Sequence, residues 1–117
     1  MNATPRMYHN PRCSKSRATL ALLREQGVEP EIIEYLKTPP DRATLESLIT
    51  LLGVRPRDLL RTGEAEYREL GLADPELPDE RLVQAMVDHP KLIERPIVVQ
   101  AGQARIGRPP ERVLEIL

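Results

Sequence analysis

The order of strand-like and helix-like segments constrains the fold of this 117-residue chain more than any other feature. A short extended run at residues 6–9 precedes a helical pattern over residues 14–26, and a run rich in β-branched residues follows at 31–36. A strand, a helix and a second strand in this order favour two parallel strands joined by a right-handed crossover. The sequence therefore predicts that the chain opens with a β-α-β unit.

In the middle of the chain, the spacing of apolar residues is typical of α-helices. Apolar residues recur at helical spacing over residues 45–52, after the candidate N-cap Asp41 and before the stop signal Gly53. Three further helices are predicted, over residues 56–61, 64–70 and 79–88, the last with Leu82, Val83 and Met86 on its buried face.

Pro90 ends the last of these helices, and after it the apolar residues no longer recur at helical spacing. Residues 97–99 form a buried-strand run, and residues 103–106 return as the second arm of a hairpin across Ala101-Gly102. A closing helix is predicted over residues 111–117. The predicted fold is therefore α/β with a mixed sheet, in the order βαβ, helical insertion, ββα, and the length predicts a single domain over residues 1–117.

The chain has one cysteine, Cys13, which excludes an internal disulfide and a cysteine-rich zinc site. A disulfide-stapled secreted fold is thereby excluded, and the reducing cytoplasm is the expected compartment. The first five residues lack an apolar signal region, and no apolar run approaches the roughly 20 residues of a membrane helix. A membrane is therefore not an expected partner, and the formal net charge of -1 argues against a nucleic acid as well.

Cys13 lies where the first predicted strand passes into the first helix. Backbone N–H groups and the positive dipole end of a helix favour a thiolate there, and Arg12, Lys15 and Arg17 are expected to act in the same direction. His9 adds a possible hydrogen bond or charge. The alternative is a buried, inert cysteine, which the charged and polar flanks disfavour. Since the same N–H groups form an anion site, the sequence predicts a nucleophile beside a bound oxyanion.

Spacing argues against other uses of this cysteine. A low-molecular-weight tyrosine phosphatase needs an arginine six residues after its cysteine, and Thr19 occupies that position. Ser16 stands where a Cys-x-x-Cys motif has its second cysteine. A metal site is not expected, because His9 and His89 fall in no ligand spacing with Cys13.

Three arginines differ from the others in their context. Arg61 ends a short predicted helix, whereas Arg95 and Arg108 each precede a proline. A residue before proline is held extended, which puts Arg95 and Arg108 at strand or loop ends, where sites on a rigid sheet commonly lie. The alternative is that all three are solvated surface arginines.

Five segments of the chain form a combined pattern: Tyr8-His9-Asn10-Pro11-Arg12-Cys13-Ser14-Lys15-Ser16-Arg17, Tyr35-Leu36-Lys37-Thr38-Pro39-Pro40, Leu59-Leu60-Arg61, Glu94-Arg95-Pro96-Ile97-Val98-Val99 and Gly107-Arg108-Pro109. Together they resemble the glutaredoxin-dependent arsenate reductase family, in order from Tyr8 to Leu117. The resemblance implies a thioredoxin-like fold with Cys13 as the nucleophile and Arg61, Arg95 and Arg108 as the oxyanion-binding trio. It also implies that His9 and Ser16 help to lower the pKa of the thiol, and that the Arg95–Pro96 bond is cis.

The resemblance implies reduction of arsenate to arsenite, and the protein is expected to act as a monomer in the cytoplasm. Reduction of As(V) to As(III) takes two electrons, which two thiols supply by forming one disulfide, and this chain has only one thiol. The second thiol must therefore come from outside. In the family it is glutathione, a co-substrate, and glutaredoxin regenerates the enzyme, with no bound cofactor.

Two other functions remain open at this point. Spx-type transcription regulators resemble this family and bind RNA polymerase, but many use a Cys-x-x-Cys switch that Ser16 interrupts. A glutathione-linked thiol transferase without arsenate activity would use the same single cysteine.

Overall fold

The computed structural model describes residues 4–117, which divide into two compact units. One unit consists of the described residues up to Thr38 together with Arg95–Leu117, and the other is Pro39–Glu94. The second unit corresponds to the predicted helical insertion, because its regular elements are helices.

The first unit is built on a mixed sheet with the strand order β2-β1-β3-β4 among the described residues. The first two strands are parallel, whereas β3 runs antiparallel to both β1 and β4. The predicted β-α-β opening and the predicted hairpin are therefore confirmed. The strands are β1 (Arg6–Tyr8), β2 (Glu31–Ile33), β3 (Ile97–Gln100) and β4 (Gln103–Ile106).

Helix α1 (Ser14–Glu25) connects the parallel strands and buries one face on the sheet. Its Leu23 packs in the unit's core with Met7 of β1 and Val98 of β3. Val113 and Ile116 from the end of the chain complete the same aliphatic core. The core thus fixes the start of α1 relative to the ends of β1 and β3.

Two elements of this unit differ from the prediction. Strand β2 ends at Ile33 instead of continuing to residue 36, because the Glu34 carbonyl accepts the N–H groups of Lys37 and Thr38 in a turn. The closing segment Pro110–Ile116 is a 3₁₀ helix rather than an α-helix. Its hydrogen bonds span three residues, as from the Arg112 N–H to the Pro109 carbonyl at 3.1 Å.

The second unit confirms the helices predicted for the middle of the chain. The side chain of Asp41 caps α2, and Gly53 ends it with a φ of 69°. Helix α5 packs against α2 and α3 and buries the predicted Leu82, Val83 and Met86. The helices are α2 (Arg42–Leu52), α3 (Pro56–Leu59), α4 (Ala65–Glu69) and α5 (Asp79–Asp88), followed by a 3₁₀ turn, Pro90–Leu92.

Candidate active site

Asn10 folds the loop that leads into Cys13. Its side-chain Oδ1 accepts the Arg12 N–H at 3.0 Å, and its carbonyl accepts the Cys13 N–H at 3.0 Å. Its own N–H donates to Ser16 Oγ at 3.3 Å. The chain therefore reverses direction after β1, and Cys13 becomes the N-cap of α1, with φ −94° and ψ 124°.

The Cys13 thiol is only 7% exposed, yet its pKa lies below that of an ordinary cysteine. Burial by itself raises the pKa of a thiol. The backbone N–H groups of Ser16 and Lys15 and the side chain of Arg95 outweigh this effect, and they lower the pKa of Cys13. Cys13 is therefore buried, but its surroundings favour the thiolate, unlike those of an inert core cysteine.

The positive charge that lowers the pKa of the thiol comes from Arg95, which is distant in sequence. The side chains of Arg12, Lys15 and Arg17 were expected to supply it, but all three residues are exposed. Arg17 Nη1 instead donates to the Pro11 carbonyl at 3.1 Å, and Lys15 acts through its backbone N–H. Solvent screens charges at the surface, which weakens the interaction of exposed cations with a buried thiol.

Arg108 also reaches the thiol. Its Nη2 lies 3.7 Å from Cys13 Sγ, and its Nε donates to the Arg95 carbonyl at 2.8 Å. The expected cis bond is present at Arg95–Pro96, and Arg108–Pro109 is cis as well. Two predicted anion-binding arginines therefore meet Cys13 at the start of α1.

Gly107 packs unusually closely against its neighbours, a contact that its sequence context does not predict. A Cβ atom there would lie 2.5 Å from Thr19 Oγ1 and 2.8 Å from Pro96 Cγ. Its N–H donates to the Pro96 carbonyl at 2.9 Å. Only glycine allows the loop before Arg108 to approach α1 this closely. The available sequence signal was the Gly-Arg-Pro triplet itself.

His9 and Ser16, the two residues expected to support the thiolate, are both buried. Ser16 interacts with the thiol through its backbone N–H, while its hydroxyl oxygen accepts the Asn10 N–H. His9 follows β1, and its N–H donates to the Ile33 carbonyl at 2.8 Å. Burial lowers the pKa of His9, partly opposed by the carboxylate of Glu34. The groups that shift the pKa of Cys13 do not include His9.

Arg61, the third arginine of the predicted trio, belongs to the second unit and contacts two carboxylates there. Its Nη1 donates to Glu94 Oε1 at 2.6 Å, and its Nε donates to Glu64 Oε1 at 3.3 Å. A short antiparallel bridge pairs Leu60 with Ile93, so that Arg61 lies opposite Leu92 and has Glu94 as a diagonal neighbour. The carboxylate partners of Arg61 were not predicted.

A buried thiolate with guanidinium groups beside it is suited to attack a tetrahedral oxyanion. The arginines neutralise the repulsion between two negative species and hold the anion by charge-assisted hydrogen bonds. Within residues 4–117, no group of three His, Cys, Asp or Glu side chains is arranged to hold a metal ion. In the same stretch of chain, no helix has the length and apolar character needed to cross a membrane.

The β-α-β unit, the following β-hairpin and a cysteine at the start of the first helix define a thioredoxin-like protein. More specifically, the chain belongs to the ArsC family, whose model matches residues 8–116.

Named relatives agree with this assignment. The chain is 61% identical to the Escherichia coli (strain K12) protein named "Uncharacterized protein YfgD", covering 100% of this chain and 99% of that protein. It is 51% identical to an arsenate reductase of the same strain, over 95% of this chain and 79% of that protein. A solved arsenate reductase from Vibrio cholerae superimposes with a TM-score of 0.94 at 56% identity, covering 97% of each chain.

Proposed function

We propose that this chain reduces arsenate to arsenite, with Cys13 as the nucleophile and with glutathione and glutaredoxin as electron donors. Membership of the ArsC family and the similarity to proteins named arsenate reductase support the reaction. The observation that carries the proposal is the lowered pKa of the Cys13 thiol together with the Arg108 guanidinium 3.7 Å from its sulfur.

Arg95 and Arg108 are the proposed arsenate-binding residues of the first unit. Both interact with the thiol, so an oxyanion held by their guanidinium groups has its central atom near the nucleophile. Arg61 completes the proposed trio by resemblance to the family.

The proposed reduction of arsenate takes place in two steps. The Cys13 thiolate attacks arsenic, an S–As bond forms, and a hydroxyl group of arsenate takes up a proton and leaves as water. Glutathione thiolate then attacks the Cys13 sulfur, so that a disulfide forms and the S–As bond breaks. The electron pair of that bond stays on arsenic, which leaves as arsenite in the +3 state. Cys13 remains in a mixed disulfide with glutathione.

Regeneration needs a further external thiol, because this chain has a single cysteine. In the proposal a glutaredoxin thiolate attacks the glutathione sulfur and releases the Cys13 thiolate, which is the better leaving group because its pKa is lowered. No bound cofactor takes part. The protein is proposed to act as a monomer in the cytoplasm, where glutathione is kept reduced.

The test is to incubate the protein with arsenate, glutathione and glutaredoxin and to measure arsenite. Arsenite should form with multiple turnovers, and omission of glutaredoxin should leave Cys13 as its glutathione mixed disulfide, detected by mass spectrometry. Cys13→Ser should form no arsenite above background. If arsenite is absent with the wild type, or persists in Cys13→Ser, the proposal is wrong.

The same experiment separates the other candidate functions. A thiol transferase would exchange glutathione on Cys13 but leave arsenate unreduced. A regulator of the Spx type would bind RNA polymerase and show no turnover in this assay.

A further inference from the structure

A cavity of about 360 Å³ lies beside the loop that carries Cys13, within the first unit. Its volume falls in the range of small-molecule pockets, roughly 300–1,000 Å³. Residues from the end of β1, the following loop and the turn after β2 line it: His9, Asn10, Pro11, Arg12, Glu34, Leu36 and Lys37. The steps described above involve the sulfur of Cys13 and leave this cavity without a role.

The charges around the cavity are of both signs. Arg12 and Lys37 provide two cations, and Glu34 provides one carboxylate, 3.7 Å from the Lys37 ammonium. Leu36, which is 41% exposed, adds an apolar surface to the same wall. A ligand complementary to this wall carries two anionic groups, one cationic group and a short aliphatic part.

The cavity wall also contains unused hydrogen-bonding capacity. His9 is 6% exposed, and its Nδ1 has no hydrogen-bond partner among residues 4–117. A buried polar atom without a partner is unfavourable in a finished protein interior, and such atoms occur where a ligand or water completes the structure. The wall therefore favours a polar ligand.

Glutathione has the complementary chemistry. It carries two carboxylates and one ammonium group, joined by a flexible chain with a thiol in the middle. Cys13 follows Arg12 directly, so their Cα atoms are about 3.8 Å apart, whereas an extended tripeptide spans roughly 10 Å. A glutathione molecule whose carboxylates contact Arg12 and Lys37 can thus extend its sulfur past the loop to Cys13.

We infer that the cavity lined by Arg12, Glu34 and Lys37 is the docking site for glutathione. The two cations bind its carboxylates, and Glu34 binds its ammonium group. The inference rests on the proposed function for the identity of the external thiol. It adds a binding site for that thiol, apart from the arginines at the Cys13 sulfur.

The test measures thiol–disulfide exchange at Cys13 without arsenate. Oxidised glutathione transfers one glutathione to the Cys13 thiolate and releases the other as its thiolate, whereas 2-hydroxyethyl disulfide reacts in the same way without charged groups. Arg12→Gln, Lys37→Gln and the double variant are compared with the wild type. Lys91→Gln, an exposed lysine outside the cavity, is the matched control.

The double variant should react with oxidised glutathione on the order of tenfold more slowly, and each single variant should show a smaller loss. Its rate with 2-hydroxyethyl disulfide should stay within about twofold of the wild type, because the neutral reagent does not need the cations. Lys91→Gln should match the wild type with both reagents. The single variants replace exposed side chains, so they remain informative if the double variant does not fold.

A second comparison tests the role of Glu34. Acetylation of the glutathione amine removes its positive charge, and this should slow exchange in the wild type but have little effect in Glu34→Gln. Equal slowing with charged and neutral disulfides, or no slowing in the double variant, would overturn the inference. If the discrimination holds but no arsenite forms with the wild type, the docking site stands and the proposed reduction alone fails.

Discussion

Helices α1 and α2 begin in similar backbone conformations but use their first residues differently. At α2, the Asp41 carboxylate accepts the Thr44 N–H at 2.8 Å, and this hydrogen bond lowers the pKa of Asp41. At α1, the N-cap is Cys13, whose side chain makes no capping hydrogen bond of ordinary geometry. The N–H groups of Ser16 and Lys15 still act on the sulfur and lower its pKa.

The difference shows that the same helix-end electrostatics can serve stability or reactivity. Asp41 satisfies the first turn of α2 and stays charged at neutral pH. Cys13 leaves the backbone N–H groups in the first turn of α1 with weaker hydrogen bonding than Asp41 gives to α2. The start of α1 instead stabilises a negatively charged sulfur. Arg95 also lowers the pKa of the thiol, and the Arg108 guanidinium lies 3.7 Å from the sulfur.

The sharpest test of this difference is Cys13→Ser. Serine is a preferred N-cap, so the melting temperature should stay the same or rise, while arsenate reduction should fall by roughly 1,000-fold or more. Thermal unfolding and arsenite assays measure the two effects. A marked fall in melting temperature would mean that the thiol itself stabilises the helix start.

Arg108→Ala should give the next largest effect. Loss of one oxyanion-stabilising donor typically raises the barrier by about 2–4 kcal/mol, which lowers kcat/KM for arsenate by roughly 30- to 1,000-fold. Arg112→Ala is the matched control, because Arg112 is exposed and lies 3.9 Å from Glu115 in a surface ion pair. Similar values of kcat/KM for the two variants would mean that Arg108 does not bind arsenate.

Gly107→Ala tests the packing that brings Arg108 to the start of α1. The new Cβ would overlap Thr19 Oγ1 and Pro96 Cγ, so we expect a loss of about 1–3 kcal/mol in the free energy of unfolding. Gly63→Ala is the control, since no atom lies within 4 Å of a Cβ there. Adding Thr19→Ala should restore part of the stability, and no restoration would contradict the proposed overlap.

Asp41→Ala should affect only stability. Loss of the cap should lower the melting temperature by on the order of 5 °C and leave the arsenate kinetics of the folded protein unchanged. Asp41→Asn is the conservative control, because asparagine also accepts the Thr44 N–H. A change in kcat at a temperature where the variant is fully folded would mean that the N-cap of α2 also affects catalysis, which contradicts the proposed difference between the two helices.

The smallest expected effect is a shift in a titration curve. Because the pKa of Cys13 is lowered, alkylation by iodoacetamide should reach its plateau at lower pH than an ordinary thiol does. The thiolate should contribute fully to stability above the pKa that the Cys13 thiol has in the unfolded chain. This contribution should be lost as the pH falls through the lowered pKa of the folded protein. A curve that matches the urea-unfolded protein would contradict activation by the fold.

Local signals predicted much of this structure. The cap at Asp41, the stop at Gly53 and the hairpin at Ala101-Gly102 each depend on residues close in sequence, and each is present. The short β2 and the 3₁₀ closing segment were missed, because turn and helix hydrogen bonds compete within a few residues there.

The site was less predictable, since its key contacts join residues distant in sequence. Cys13, Arg95 and Arg108 were identified by motif, but no local pattern shows that Arg95 outweighs the nearer Arg12 at the thiol. The pairing of Arg61 with Glu94, 33 residues apart, depends on the bridge between Leu60 and Ile93. Tertiary pairing of this kind follows from the fold and not from composition.

The separation of 95 residues between Cys13 and Arg108 has a consequence for biosynthesis. While the ribosome is still adding the helical unit, Cys13 has emerged but β3 and both arginines that meet its sulfur have not been made. A nascent chain at this stage carries the thiol without the Arg95 contribution that lowers its pKa in the folded protein. The full lowering of the thiol pKa therefore requires Arg95, which is made long after Cys13 and α1.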